Sequence, residues 1–172
     1  VGSEMCIRDS TTGFYNTAVG YQALLVNTTG IANIAYGTLA LGANTTGQYN
    51  VAVGAQALQN NTAGQYNVAV GDYALAANTT NNASTAVGHG ALYLSTATQP
   101  NDAFGSQSLN SNTTGVQNVA VGYTTLYSNT TGIRNTAIGG YAGYSNNIGI
   151  ANLFVGNQSG YLNTSCLLYT SD

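Results

Sequence analysis

Apolar residues along this chain fall in pairs at a constant long interval, matching neither a helical stripe nor simple alternation. Alanine followed by a branched or aromatic residue is answered five positions later by Ala-Leu, and a polar N-T-T-G run closes each unit. The consensus N-x-A-V-G-x-x-A-L-x-x-N-T-T-G-x-x is 17 residues long and occurs nine times in register. Numbered from its asparagine, position 1 holds Asn16, Asn33, Asn50, Asn67, Asn101, Asn118, Asn135 and Asn152, with Ser84 in the one gap. Position 5 is glycine throughout: Gly20, Gly37, Gly54, Gly71, Gly88, Gly105, Gly122, Gly139 and Gly156. Fixed-period self-similarity of this kind marks an array of stacked units.

A unit this short cannot hold a helical hairpin, and its Thr, Val, Asn and Gly content disfavours helix. The segments x-A-V and x-A-L predict two short strands per unit, separated by the glycine at position 5 and by the N-T-T-G turn. That glycine is expected at positive φ, or where the next coil approaches too closely for a Cβ. Asparagine at position 12 suits an Asx-type turn in which its side chain bonds backbone two residues on. Stacking would line up Asn27, Asn44, Asn61, Asn78, Asn112, Asn129, Asn146 and Asn163 in a ladder. The expected fold is therefore all-β, a parallel β-solenoid of nine 17-residue coils. At about 4.8 Å per coil it makes a rod of about 40 Å.

Both faces of the first strand are apolar. Position 3 is alanine in every unit but the last, which has Phe154, and position 4 runs Val19, Tyr36, Val53, Val70, Val87, Phe104, Val121, Ile138, Val155. Neighbouring strand residues point to opposite sides, and one thin coil has a single interior. A size exchange identifies the inner side: position 9 is leucine from Leu24 to Leu126 but Gly143 and Gly160 in the last two units, beside Phe154. Volume lost at position 9 reappears at position 3, as close packing requires. Positions 3 and 9 are thus expected to share the interior, with position 4 facing other copies of the chain.

Charge narrows the function classes. Lys plus Arg number 2 and Asp plus Glu 5. So few cations exclude a nucleic-acid partner, and no apolar run reaches the ~18 residues of a membrane span. The abundant glycine, Asn and Thr agree with many tight turns.

The ends differ from the rest. Residues 1–10 back-translate to GTG GGC TCG GAG ATG TGT ATA AGA GAC AG, and residues 166–172 to TGT CTC TTA TAC ACA TCT GAC. Both resemble transposase-type sequencing-library adapters, and they are reverse complements of one another over a shared segment. Residues 1–10 and 166–172 are accordingly expected to be adapter-derived, leaving residues 11–165 as the solenoid and the natural protein continuing on both sides. Cys6 and Cys166 both fall in those ends and carry no information on disulfides or metals.

Candidate chemistry is sparse. His89 and Asp72 share position 6 in successive units, but no third ligand accompanies them, and neither a metal nor a cofactor is expected. Phosphate-loop and G-x-S-x-G motifs are absent, and two acids in nine repeats cannot ligate calcium coil by coil. No catalytic residue is assigned and the chain reads as a non-enzyme. N-T-T also matches the N-glycosylation acceptor, although turn chemistry explains its recurrence. Tyr127, Tyr144 and Tyr161, all at position 10, are the candidate carbohydrate contacts, as a stacked column.

The stretches N-T-A-V-G-Y-Q-A-L (Asn16 to Leu24) and N-V-A-V-G (from Asn50, Asn67 and Asn118) resemble the head repeats of trimeric autotransporter adhesins and arrays in fibre-like proteins of bacteriophages. The resemblance spans Thr11 to Ser165. It implies a left-handed β-roll wound by three chains, outside the cell on a bacterial or virion surface, binding a host-surface glycan or protein receptor without inserting into membrane. The present unit is longer and carries the added N-T-T-G turn. The leading expectation is a shaft or head segment of a trimeric fibre or adhesin. A glycan-binding module using Tyr, Asn and Thr ladders is the second. An ice-binding solenoid is the third, and it requires threonines on a flat strand rather than in turns.

Overall fold

The structure is a computed structural model and describes residues 12–165. The expectations for residues 1–10 and 166–172, and for both cysteines, lie outside the described residues.

Nine three-residue strands follow one another: β1 (Thr17–Val19), β2 (Ile34–Tyr36), β3 (Val51–Val53), β4 (Val68–Val70), β5 (Thr85–Val87), β6 (Asp102–Phe104), β7 (Val119–Val121), β8 (Thr136–Ile138) and β9 (Leu153–Val155). They form one sheet in sequence order. Every pairing is parallel, with Ala18 opposite Ala35, Ala35 opposite Ala52, and Ala137 opposite Phe154. Each repeat is therefore one turn of a parallel β-solenoid, and equivalent positions stack in lines along the rod.

One expectation is corrected. The x-A-L segment is not a second strand; it is a chain of turns in which positions 7 and 9 take left-handed conformations, as Gln56 (φ 59) and Leu58 (φ 50) do. An extended strand would send Ala57 and Leu58 to opposite sides, yet both are fully buried. Left-handed backbone turns the leucine inward beside the alanine. It costs an L-residue about 1–2 kcal/mol, which burial of a leucine side chain, worth about 1.5–3 kcal/mol, offsets. The segment's backbone groups are divided between neighbours: Gln56 N donates to Thr38 O of the coil before (2.8 Å) and Leu58 N to Ala74 O of the coil after (3.0 Å).

The interior is a column of alanine at position 3, mostly alanine at position 8, where Ser108 and Thr125 are also buried, and leucine at position 9 of the first seven coils, closed by two asparagine ladders. In the first, Asn50 Nδ2 donates to Asn33 Oδ1 (3.1 Å) and to Gly64 O (2.7 Å), while Asn67 N donates to Asn50 Oδ1 (3.0 Å). In the second, Asn44 Nδ2 donates to Asn27 Oδ1 (2.8 Å) and Asn61 Nδ2 to Asn44 Oδ1 (2.9 Å). The second ladder was expected, but its local bond differs from an Asx turn: Asn44 Nδ2 donates forward to Gly47 O, three residues on (3.1 Å). The oxygen is spent on the next coil. A buried amide without partners costs about 1–3 kcal/mol, so the ladders hold each coil in register.

Glycine at position 5 meets both expectations. Gly20 has φ +133, and a Cβ there would lie 2.6 Å from Gly37 O of the next coil.

Candidate functional site

With the interior filled, chemistry is confined to the outer surface. Position 4 forms a continuous apolar line on the open face of the sheet. Tyr36, Phe104 and Ile138 on it are 46%, 41% and 44% exposed, whereas position 3 beneath is buried from Ala18 to Phe154. The expected division of the strand between interior and surface is therefore observed.

Tyr127, Tyr144 and Tyr161 stack as expected. Their centroids are 5.4 and 5.0 Å apart and their planes within 6° and 10° of parallel. Stacking turns ring faces on one another, so between its two ends the column offers mainly edges to solvent. Tyr141 leans on it and meets Tyr123 edge-on at 5.3 Å. Burial pushes the Tyr141 hydroxyl above the usual phenol range; the charge of Tyr123, and the bond made to it, act in the same direction. A second stack, Tyr49 on Tyr66 (5.1 Å, 2°), escaped the sequence reading. Its signal was present: two tyrosines at position 17 of successive units.

Asp72 and His89 do not come together as a pair. Asp72 Oδ1 accepts from Ala55 N of the preceding coil (2.8 Å), while the His89 ring packs edge-on against Tyr73 at 6.1 Å. Among the described residues no three His, Cys, Asp or Glu side chains gather as a metal site. A hollow of about 380 Å³ opens beside His89, lined by Tyr73, His89, Gly90, Tyr93 and Asn110.

The turn residues are engaged within the rod. Position 13 hydroxyls donate to the following coil, as Thr45 Oγ1 does to Thr62 O (3.0 Å) and Thr113 Oγ1 to Thr130 O (3.1 Å). Asn44 and Asn129 of the N-T-T triplets are fully buried with Nδ2 bonded, which removes them as glycosylation acceptors in the folded rod.

One coil departs from the others. Residues 84–100 carry Ser84 at position 1, Gly90 at position 7, Ser95 at position 12 and Pro100 at position 17. Ser84 keeps the first ladder connected, accepting from Asn101 N (3.1 Å) and from Asn81 Nδ2 (2.8 Å). Ser95 breaks the second: Asn78 Oδ1, Asn81 Oδ1 and Ser95 Oγ are buried without a partner.

The fold and these surfaces define a parallel β-solenoid repeat protein. No family model, curated protein or solved structure matches the chain.

Proposed function

We propose that this chain is a structural segment of a homotrimeric extracellular fibre or adhesin, a rigid spacer that holds a receptor-binding end away from its anchor on a bacterial or virion surface. The carrying observation is the position 4 line. Parallel sheets are normally covered on both faces, and an apolar stripe running the whole rod is covered most economically by identical stripes on other copies. Strand-by-strand register supports the spacer role, since every strand pairs in parallel with its neighbours and asparagine ladders join the coils on either side of residues 84–100. Scarcity of charge agrees with a self-associating surface, because charged residues are depleted from interface cores.

Analytical ultracentrifugation of the chain tests the reading. A species of three times the 17.5 kDa chain mass is expected. A soluble monomer stable at micromolar concentration would refute the trimer, and with it the fibre role. The ice-binding reading loses support, because Thr28, Thr45, Thr113 and Thr130 each spend their hydroxyl on an inter-coil bond and Ala63 and Ala97 interrupt the outward row.

A further inference from the structure

We propose that the hollow beside Gly90 is a binding site for a single uncharged pyranose ring, on the side of the rod and independent of the trimer reading. Position 7 elsewhere carries a side chain: Gln56 and Tyr73 in the two coils before, Gln107 in the coil after. Gly90 has φ +63 and Gln107 φ 58, so the backbone follows the same path in both. The hollow lies where that side chain is missing.

The walls suit a sugar. Tyr73 and Tyr93 stand 6.0 Å apart with planes at 80°, so the two rings present differently oriented π surfaces to the same space. Aromatic surface of this kind packs against the apolar C–H face of a pyranose while its rim remains polar. Asn110 supplies the polar partner. Its Nδ2 donates to Gly90 O at 2.8 Å, which fixes the amide and leaves Oδ1 and a second N–H for ring hydroxyls. The His89 imidazole, held edge-on to Tyr73, adds another donor or acceptor.

The site carries no fixed charge. Neither Lys nor Arg lines it, and the nearest carboxylate in sequence, Asp72, has Oδ1 bonded to Ala55 N. That combination selects a neutral sugar over a sialic acid, uronic acid or sugar phosphate. The volume of about 380 Å³ lies in the roughly 300–1,000 Å³ range of small-ligand clefts and suits one ring rather than a chain.

The test is a two-dimensional NMR titration of the whole chain with the methyl glycosides of glucose, galactose, mannose and N-acetylglucosamine, with sialic acid as the charged control. At least one neutral glycoside is expected to give saturable shifts centred on the Gly90 amide, the His89 ring and the Asn110 side-chain amide. Gly90→Gln, which restores the residue that Gln56 and Gln107 carry at the same φ, fills the hollow and should abolish those shifts while the far-UV spectrum holds, with some loss of melting temperature because a side chain now sits at φ +63 with its Cβ 3.1 Å from Asn110 Nδ2. Tyr73→Ala, as a second variant, should weaken binding about tenfold, the equivalent of ~1.4 kcal/mol. The proposal is overturned if no neutral glycoside gives saturable shifts, if sialic acid alone does, if Gly90→Gln binds as the parent does, or if the shifts map to Tyr127, Tyr144 and Tyr161.

Discussion

The ring of Phe154 fills the space that Gly160 leaves empty. A Cβ built on Gly160 would overlap Cδ1 and Cε1 of that ring, and one on Gly143, a coil earlier, would lie 2.7 Å from its Cδ2. Phe154 is fully buried, so one phenylalanine at position 3 replaces the volume that leucine at position 9 supplies in the first seven coils.

This exchange makes a double-mutant test. Phe154→Ala should cost about 3–5 kcal/mol in urea unfolding, the range for truncating a buried phenylalanine. Gly160→Leu alone should destabilise by about 1–3 kcal/mol through overpacking. Combined, the leucine should recover part of the alanine's loss, because Leu126 and its equivalents already hold left-handed φ at this position. A double mutant no more stable than Phe154→Ala would break the link between the two sites.

Repair of the second asparagine ladder should stabilise the rod. Ser95→Asn places an amide donor where Asn78 Oδ1 is buried without one. The expected gain is about 1 kcal/mol, the net value of a hydrogen bond, and more if the orphaned oxygen now carries its full desolvation cost. Thermal melting of the variant against the parent checks it, and an unchanged or lower midpoint would show that the break is already accommodated.

Association and folding should separate at position 4. Val121 lies on the exposed line, 38% accessible, opposite buried Ala120. Val121→Asp should therefore leave the circular dichroism of the coil unchanged while reducing the sedimenting mass from trimer towards monomer. Loss of secondary structure together with association would place Val121 in the fold rather than in an interface.

Alkaline pH should loosen the tyrosine cluster. Tyr141 is raised in the folded state, first by burial and then by the Tyr123 charge. A folded value above the unfolded one means that protonated Tyr141 is favoured in the native rod. That contribution is complete below the unfolded phenol value, about 10, and disappears as pH rises through the higher folded value. Absorbance titration should show one late-ionising tyrosine that Tyr141→Phe removes, and the parent, but not Tyr141→Phe, should lose this share of its stability above pH about 10.

The 17-residue period was enough to establish a stack of parallel coils, the lines of glycine and asparagine, the tyrosine column and the pairing of Phe154 with Gly160, because each is a relation between equivalent positions. Repetition converts sequence distance into spatial contact. The course of the chain within one coil was not legible. Ala57-Leu58 reads as strand, since apolar residues in a short run carry no mark of backbone sign, and only the closed coil, with room for both side chains inside, brings Gln56 and Leu58 to positive φ. The Gly90 hollow was hidden for a related reason. Its walls come from positions 7, 6, 10 and 10 of three successive coils, Tyr73, His89, Tyr93 and Asn110, and no single repeat contains them. Alignment of the units exposes Gly90 as a missing side chain, whereas the space it leaves exists only once the coils are stacked.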